Sequence, residues 1–229
     1  MIGCMRDEEG GVVWDGREFI WAGDGKTFFR GVGRRFLVNE VFEEAFRKLL
    51  ESYKPSGHYR LCLFLPCAYG KPYSQSYIHY LLLRALRRLG KRYGAVHQVI
   101  VSNVGIVPRE LEERTPFACY DWNPSFETAE VKRLYSKVLT DRLTSYIRAF
   151  GSFYDGLACY LRHDSDSYRS MKEVEGRLKV KIPNLALERV PEEEVSRASL
   201  GIYGYEQDLM LVAPSNLNNL VVRLKELLP

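Results

Sequence analysis

The sequence predicts an α/β fold: a three-layer α/β/α sandwich with a mostly parallel central sheet and an N-terminal β-hairpin added. Three observations predict it. Short apolar runs at 59–65, 95–102 and 154–161 read as buried strands, since a strand covered on both faces has no polar side to alternate with. Helical stretches at 76–94 and 127–150 separate them. Strands that alternate with helices return in parallel.

The elements follow in order. "VVWDGREFIW" (12–21) holds two β-rich pieces around Asp15-Gly16, a pair that tolerates a tight turn, so a hairpin is expected. "NEVFEEAFRKLLESY" (39–53) places Val41, Phe42, Ala45, Phe46, Leu49 and Leu50 on one helical face, with Asn39 as cap and Pro55 beyond the end. The helix 76–94 is expected to stop at Gly94. Pro108 suits the first turn of a helix over 108–114. The helix 127–150 turns Val131, Leu134, Val138, Tyr146 and Phe150 inward. "RLKVKI" (177–182) reads as a weaker fourth strand, "PEEEVSR" as a surface helix start, and 215–228 as a last helix capped by Ser215. Residues 1–58 are expected to form a hairpin and helix packed on an α/β core of 59–229.

Composition narrows the function. The 229 residues are 46% hydrophobic and 27% charged, enough for a sizeable core. A net charge of +4 permits nucleic-acid contact without demanding it. Five cysteines, an odd number with no Cys-x-x-Cys, fit a reducing interior. The first residues are acidic where a signal peptide would be apolar, and no run reaches the ~20 apolar residues of a membrane span. A cytoplasmic protein without membrane contact is expected. There is no Walker loop, no Gly-rich dinucleotide loop and no Gly-x-Ser-x-Gly elbow. The four histidines are scattered, so no metal site and no cofactor are expected.

Ligands of parallel sheets bind beyond the carboxyl ends of strands. Loops 66–75, 103–108 and 162–167 should therefore share one edge. The first offers Pro66, Cys67, Lys71, Pro72, Tyr73, Ser74, Ser76 and His79. The second offers Asn103 and Arg109, the segment 119–125 adds Tyr120 and Asp121, and the third adds Asp164. A helix start at Ser74 and Ser76 with Lys71 nearby would suit a carboxylate or phosphate. Each residue also has a plainer reading: Ser76 as a cap, Pro72 as a turn stiffener, Cys67 as packing, His79 as a satisfied or solvated group. Arg84, Arg87, Arg88, Lys91 and Arg92 form a stripe that would track a phosphate backbone. The plainer reading, a solvent face, is favoured on spacing alone.

Taken whole, "PCAYGKPYSQSYIH" resembles the signature of archaeosine synthases, with Pro66, Cys67, Lys71, Pro72, Tyr73, Ser76 and His79 at the family's spacing. "VIVSNVGIVPRELEERTPFACYDW" (99–122) is similar to a second block of that family, and the likeness runs from about 59 to 165. A looser likeness exists to uracil-DNA-glycosylase-like domains. The resemblance implies tRNA modification: free lysine adds to the nitrile of a cyano-deazaguanine base, and a radical enzyme partner later cleaves the adduct. It implies Pro66, Lys71, Pro72, Ser74, Ser76, Asn103, Arg109 and Asp164 as substrate-binding residues. His79, Tyr73, Cys67 and Asp121 become candidates for acid, base, nucleophile and ammonium holder. No ATP is implied, because a nitrile is already an electrophile. Family members are usually longer, adding a transglycosylase-like barrel and a PUA domain. Neither is recognised here, so a separate subunit carrying them is expected to help hold tRNA, with the 84–92 stripe as an RNA face. The alternatives are a non-catalytic RNA- or amino-acid-binding subunit and a glycosylase-like hydrolase using Asn103.

Overall fold

A computed structural model describes residues 5–6, 12–13, 19–23, 26–199 and 207–228. The chain opens with short strands β1 (Met5–Arg6) and β2 (Val12–Val13), which pair antiparallel with each other. β3 (Phe19–Gly23) pairs antiparallel with β4 (Lys26–Arg30). The hairpin expected between 12–13 and 19–21 is therefore replaced by two separate pairings; Asp15 and Gly16 lie outside the described residues. A short helix α1 (Arg34–Leu37) leads to α2 (Glu40–Ser52). Asn39 caps α2 as expected, its side chain accepting from the Val41 amide at 3.0 Å. Phe42, Phe46 and Leu49 face inward, while Val41 is exposed.

Next come β5 (Tyr59–Leu65), α3 (Tyr77–Leu86), β6 (Val96–Ser102), β7 (Gly105–Pro108), β8 (Tyr120–Asp121), α4 (Ala129–Phe150), β9 (Tyr154–Cys159), α5 (Asp166–Leu178), α6 (Glu192–Ser199) and α7 (Pro214–Leu227). The main sheet runs β7-β6-β5-β9. β5 is parallel to both β6 and β9, and β7 is antiparallel at the edge. α2, α4 and α5 cover one face, packing Phe42, Leu143 and Met171 around Phe64 and Val99. α3 and α7 cover the other, packing Leu82, Leu86 and Leu220 against Leu63 and Leu65. The fold is the expected α/β/α sandwich.

Five local expectations give way to tertiary structure. The helix from 76 runs regularly only to Leu86; tighter turns over 87–95 follow, broken at Gly90, whose φ of 60° and ψ of −127° suit glycine alone. Within the loop expected at 103–108, residues 105–108 form a strand, because Ile106 and Val107 pair with Val101 and Ile100. The helix expected at 108–114 shrinks to one 3₁₀ turn, Arg109–Leu111, in which Arg109 and Glu110 are drawn to different partners. Where a strand is expected at 177–182, Arg177 and Leu178 end α5, left-handed Lys179 stops it, and 180–182 form no strand; Asn184 makes an isolated bridge to Cys159. At the last helix Ser215 gives no cap: Ala213 holds that position, with Pro214 in the first turn.

A three-stranded sheet, β3-β4-β8, joins the N-terminal segment to the core. β4 runs parallel to β8, with Phe29 opposite Tyr120 and Arg30 opposite Asp121. Gly31 follows β4, and a methyl group there would lie 2.1 Å from the Phe36 ring, so only glycine fits. No helix of the described residues is long and apolar enough to cross a membrane.

Candidate active site at the carboxyl edge of the sheet

Parallel pairing of β5, β6 and β9 brings Leu65, Ser102 and Cys159 to one edge. The loop after β5 lies there. Its Gly70 packs so closely that a methyl group would meet Ser76 at 3.1 Å. The Lys71-Pro72 peptide is cis. Tyr73 is fully buried, and its hydroxyl donates to Ser102 Oγ at 3.1 Å. Tyr120 Oη lies 2.8 Å from Ser102 Oγ, 2.9 Å from Tyr73 Oη and 3.1 Å from Cys67 Sγ. With Tyr73 donating to Ser102 and Ser102 to Tyr120, the Tyr120 hydrogen is the one left to point at Tyr73, Cys67 or a bound group. Burial pushes both phenols well above their ordinary range, so both stay protonated donors.

Lys71 crosses this cluster. Its Nζ sits 3.9 Å from the centroid of the Tyr120 ring and donates to the Ala68 and Tyr69 carbonyls at 3.2 and 3.1 Å. Neither bond brings a countercharge. Burial therefore lowers its pKa, and the neighbouring Cys67 and Asp121 offset only part of that. Cys67 and Lys71 are the cluster's partly exposed members; Tyr73, Tyr120 and Ser102 lie behind them. Asp121 is buried. Its Oδ2 accepts from Arg30 Nε at 2.7 Å, while its Oδ1 has no hydrogen-bond partner. A buried carboxylate oxygen left open is uncommon, because it costs desolvation without return.

Other expected residues are already engaged by the protein's own groups. His79 is fully buried and both ring nitrogens are engaged: Nε2 donates to the Pro66 carbonyl at 2.9 Å, and Nδ1 accepts from Arg109 Nη2 at 2.7 Å. Burial and the Arg109 charge lower its pKa to about 3, so it stays neutral. That leaves no nitrogen for substrate and does not fit the acid or base role. The helix start does not offer an open anion seat either. Ser76 caps α3 through the His79 amide at 3.3 Å. The Ser74 amide donates to Glu112 Oε2 at 3.0 Å, and Arg109 Nη1 holds the same oxygen at 2.7 Å. An internal carboxylate thus fills the place expected for a substrate's.

Asn103 is half-buried, and its carbonyl accepts from Arg142 at 3.4 Å. Asp164 stands exposed, 3.4 Å from Arg162, outside the cluster. The basic stripe does not hold one helical face: Arg84 is on α3, Arg87 and Arg88 follow its end, and Lys91 and Arg92 lie past Gly90. Arg88 donates to Asn218 at 2.7 Å. Sequence reasoning left out Ser102, Arg30 and Glu112 and gave Tyr120 no role. Ser102 had a signal, as the last residue of a buried strand at the loop edge. Arg30 had none, since it lies 91 residues from Asp121. Among the described residues no group of three His, Cys, Asp or Glu side chains is placed to hold a metal.

These features define an α/β/α core domain with a lysine, thiol and hydroxyl cluster at the carboxyl edge of its sheet. The chain belongs to the family described as a domain of unknown function, DUF5591, which matches residues 43–184. It carries a domain related to archaeosine synthase subunit alpha. The proteins so named from Methanosarcina acetivorans, Thermoplasma acidophilum and Thermococcus kodakarensis are 46%, 47% and 40% identical to it over 76, 73 and 67 residues. Those stretches are 33%, 31% and 28% of this chain and 12%, 13% and 12% of the relatives, so the matched region spans about an eighth of each relative's length. The crystal structure of AF0587, a protein of unknown function, aligns with a TM-score of 0.45 at 22% identity, over 70% of this chain and 50% of that one.

Proposed function

We propose that this protein acts in archaeosine tRNA modification, adding free lysine to the nitrile of a cyano-deazaguanine base. The observation that carries the reading is Lys71: a half-buried amine that bonds only to carbonyls and has no carboxylate at ion-pair distance among the described residues, beside Cys67 and three linked hydroxyls, in a chain related to archaeosine synthase subunit alpha.

The reaction suits such a group. A lysine side-chain ammonium and a nitrile become one amidinium, so no proton enters or leaves overall. The ammonium must lose its proton before its nitrogen attacks, and the nitrile nitrogen must gain one as the carbon–nitrogen bond forms. Lys71, with its lowered pKa, takes the first proton and returns it to the nitrile nitrogen. The Tyr120 hydroxyl, backed by Tyr73 and Ser102, donates a hydrogen bond to that nitrogen as charge develops. The open Oδ1 of Asp121 holds an ammonium of the incoming lysine. A separate transglycosylase-like or PUA-containing subunit shares the grip on tRNA, and a radical enzyme partner receives the adduct.

The test is a mass shift. The protein is incubated with tRNA carrying the cyano base and with free lysine, and the digested tRNA is searched for the adduct. An adduct supports the reading. Binding without adduct, or release of free base, overturns it in favour of a binding subunit or a hydrolase. A parallel reaction includes the partner subunit.

A further inference from the structure

We infer that the first turns of α4, through Lys132, Arg133 and Lys137, form the seat for the RNA phosphate backbone. This rests on the tRNA reading above and moves the RNA face away from residues 84–92.

Position carries the argument. Tyr73, Tyr120 and Cys67 pack in the core on the α4 side of the sheet, whereas α3 lines the core on the other side. α3 also runs away from the loop edge, so residues 87–95 sit where β6 begins, at the opposite edge. A seven-residue strand spans about 20 Å. Lys91 and Arg92 are therefore separated from Lys71 by a sheet layer and most of a strand length. α4 instead is the next helix after β8, which carries Tyr120 and Asp121, with one 3₁₀ turn (Pro124–Phe126) between them, and it runs from the loop edge back to the start of β9. Its Tyr135 packs in the same core as Tyr120, and its hydroxyl meets Ser167 at 2.7 Å.

Charge supports the same surface. A groove of about 320 Å³ between α4 and α5 is lined by Lys132, Arg133, Ser136, Lys137, Asp166, Glu173 and Arg177. Its acids are already paired: Asp166 with Arg169, and Glu173 with Arg177. Lys132, Arg133 and Lys137 are exposed and, among the described residues, have no carboxylate at ion-pair distance. Glu130 is the acid on that first turn, and Glu127, just before the helix, accepts from the Trp122 indole at 2.8 Å and interacts electrostatically with Lys132. Three cations left open beside a reacting edge match a polyanion that must present one base there. A second groove of about 500 Å³, on the α3 side, has Arg84, Arg88 and Arg197 at its rim. There Arg88 is bonded to Asn218 and Arg197 to Glu193.

The test measures binding of a tRNA transcript against salt for the full chain. The variants are Lys132→Glu/Arg133→Glu/Lys137→Glu, its glutamine counterpart, and Arg87→Glu/Lys91→Glu/Arg92→Glu. The expected result is a loss of about tenfold or more in affinity for both α4 variants, with the salt slope reduced by roughly 2. The 87–92 variant should stay within about twofold. Wild-type binding that the glutamine variant leaves unchanged overturns the inference and leaves the lysine-addition reading standing. Absence of wild-type binding overturns it as well. The functional reading is then judged by adduct formation on a free cyano-deazaguanine nucleoside, which needs no phosphate grip.

Discussion

Arg109 donates to His79 Nδ1 at 2.7 Å while the Pro66 carbonyl holds Nε2 at 2.9 Å, so the imidazole clamps the loop to the sheet in one neutral tautomer. This has a pH signature. The His79 pKa falls from 6.5 to about 3 in the fold. The unfolded chain binds a proton that the folded chain does not. The stability contributed by a neutral His79 is thus fully present above about pH 6.5 and is lost as pH falls toward 3. Urea denaturation between pH 5 and 6.5 should show stability falling by up to about 1.4 kcal/mol per pH unit from this group. His79→Gln should flatten that slope. An unchanged slope would refute the clamp.

Lys71→Ala should slow lysine addition by about a hundredfold or more, the scale of a lost acid–base group. Lys71→Arg should not rescue it, because a guanidinium does not release its proton near neutrality. Initial rates of adduct formation, with far-ultraviolet circular dichroism as a folding control, check this. A fully active arginine variant would show that Lys71 supplies only charge.

Tyr120→Phe removes the hydroxyl that links Cys67, Tyr73 and Ser102. It should lower kcat by about tenfold or more while leaving the KM for lysine near wild type, since the hydrogen bond strengthens only as charge develops on the nitrile nitrogen. A change confined to KM would move Tyr120 from the reaction to substrate binding.

Cys67 tests the route. In direct addition the thiol never bonds to carbon. Cys67→Ala should then keep more than about a tenth of the rate, and incubation with the cyano base without lysine should leave the protein's intact mass unchanged. A mass increase equal to the base, absent in the alanine variant, would establish a thioimidate intermediate instead.

Gly31→Ala tests the N-terminal brace. The added methyl would lie 2.1–2.6 Å from Phe36 ring atoms, directly after the Arg30 that holds Asp121. Overpacking of this kind costs about 1–3 kcal/mol. A lower denaturation midpoint and weakened lysine binding should appear together.

Much of the architecture was legible in residue order. The apolar runs at 59–65, 95–102 and 154–161 became parallel strands because burial on both faces leaves no polar alternation. The place of the 66–75 loop, beyond the carboxyl end of a buried strand, was legible too. Less legible was what each side chain does there. Ser74, Ser76 and His79 looked like a ligand seat, yet Glu112 and Arg109 arrive from the turn after β7 and occupy it from within.

What the sequence determined by itself was local and periodic: helix faces, buried strands, the Asn39 and Ser76 caps, and the reactive composition of one loop. Tertiary structure decided which of those groups are left for chemistry. Lys71 bonds only to the carbonyls of its own loop, Asp121 gives one oxygen to Arg30, 91 residues away, and keeps the other unpartnered, and Tyr120 meets Ser102 and Tyr73 from 18 and 47 residues away. Hydrogen-bond capacity in a buried site is shared among whatever the fold brings there, and spacing along the chain does not encode that sharing.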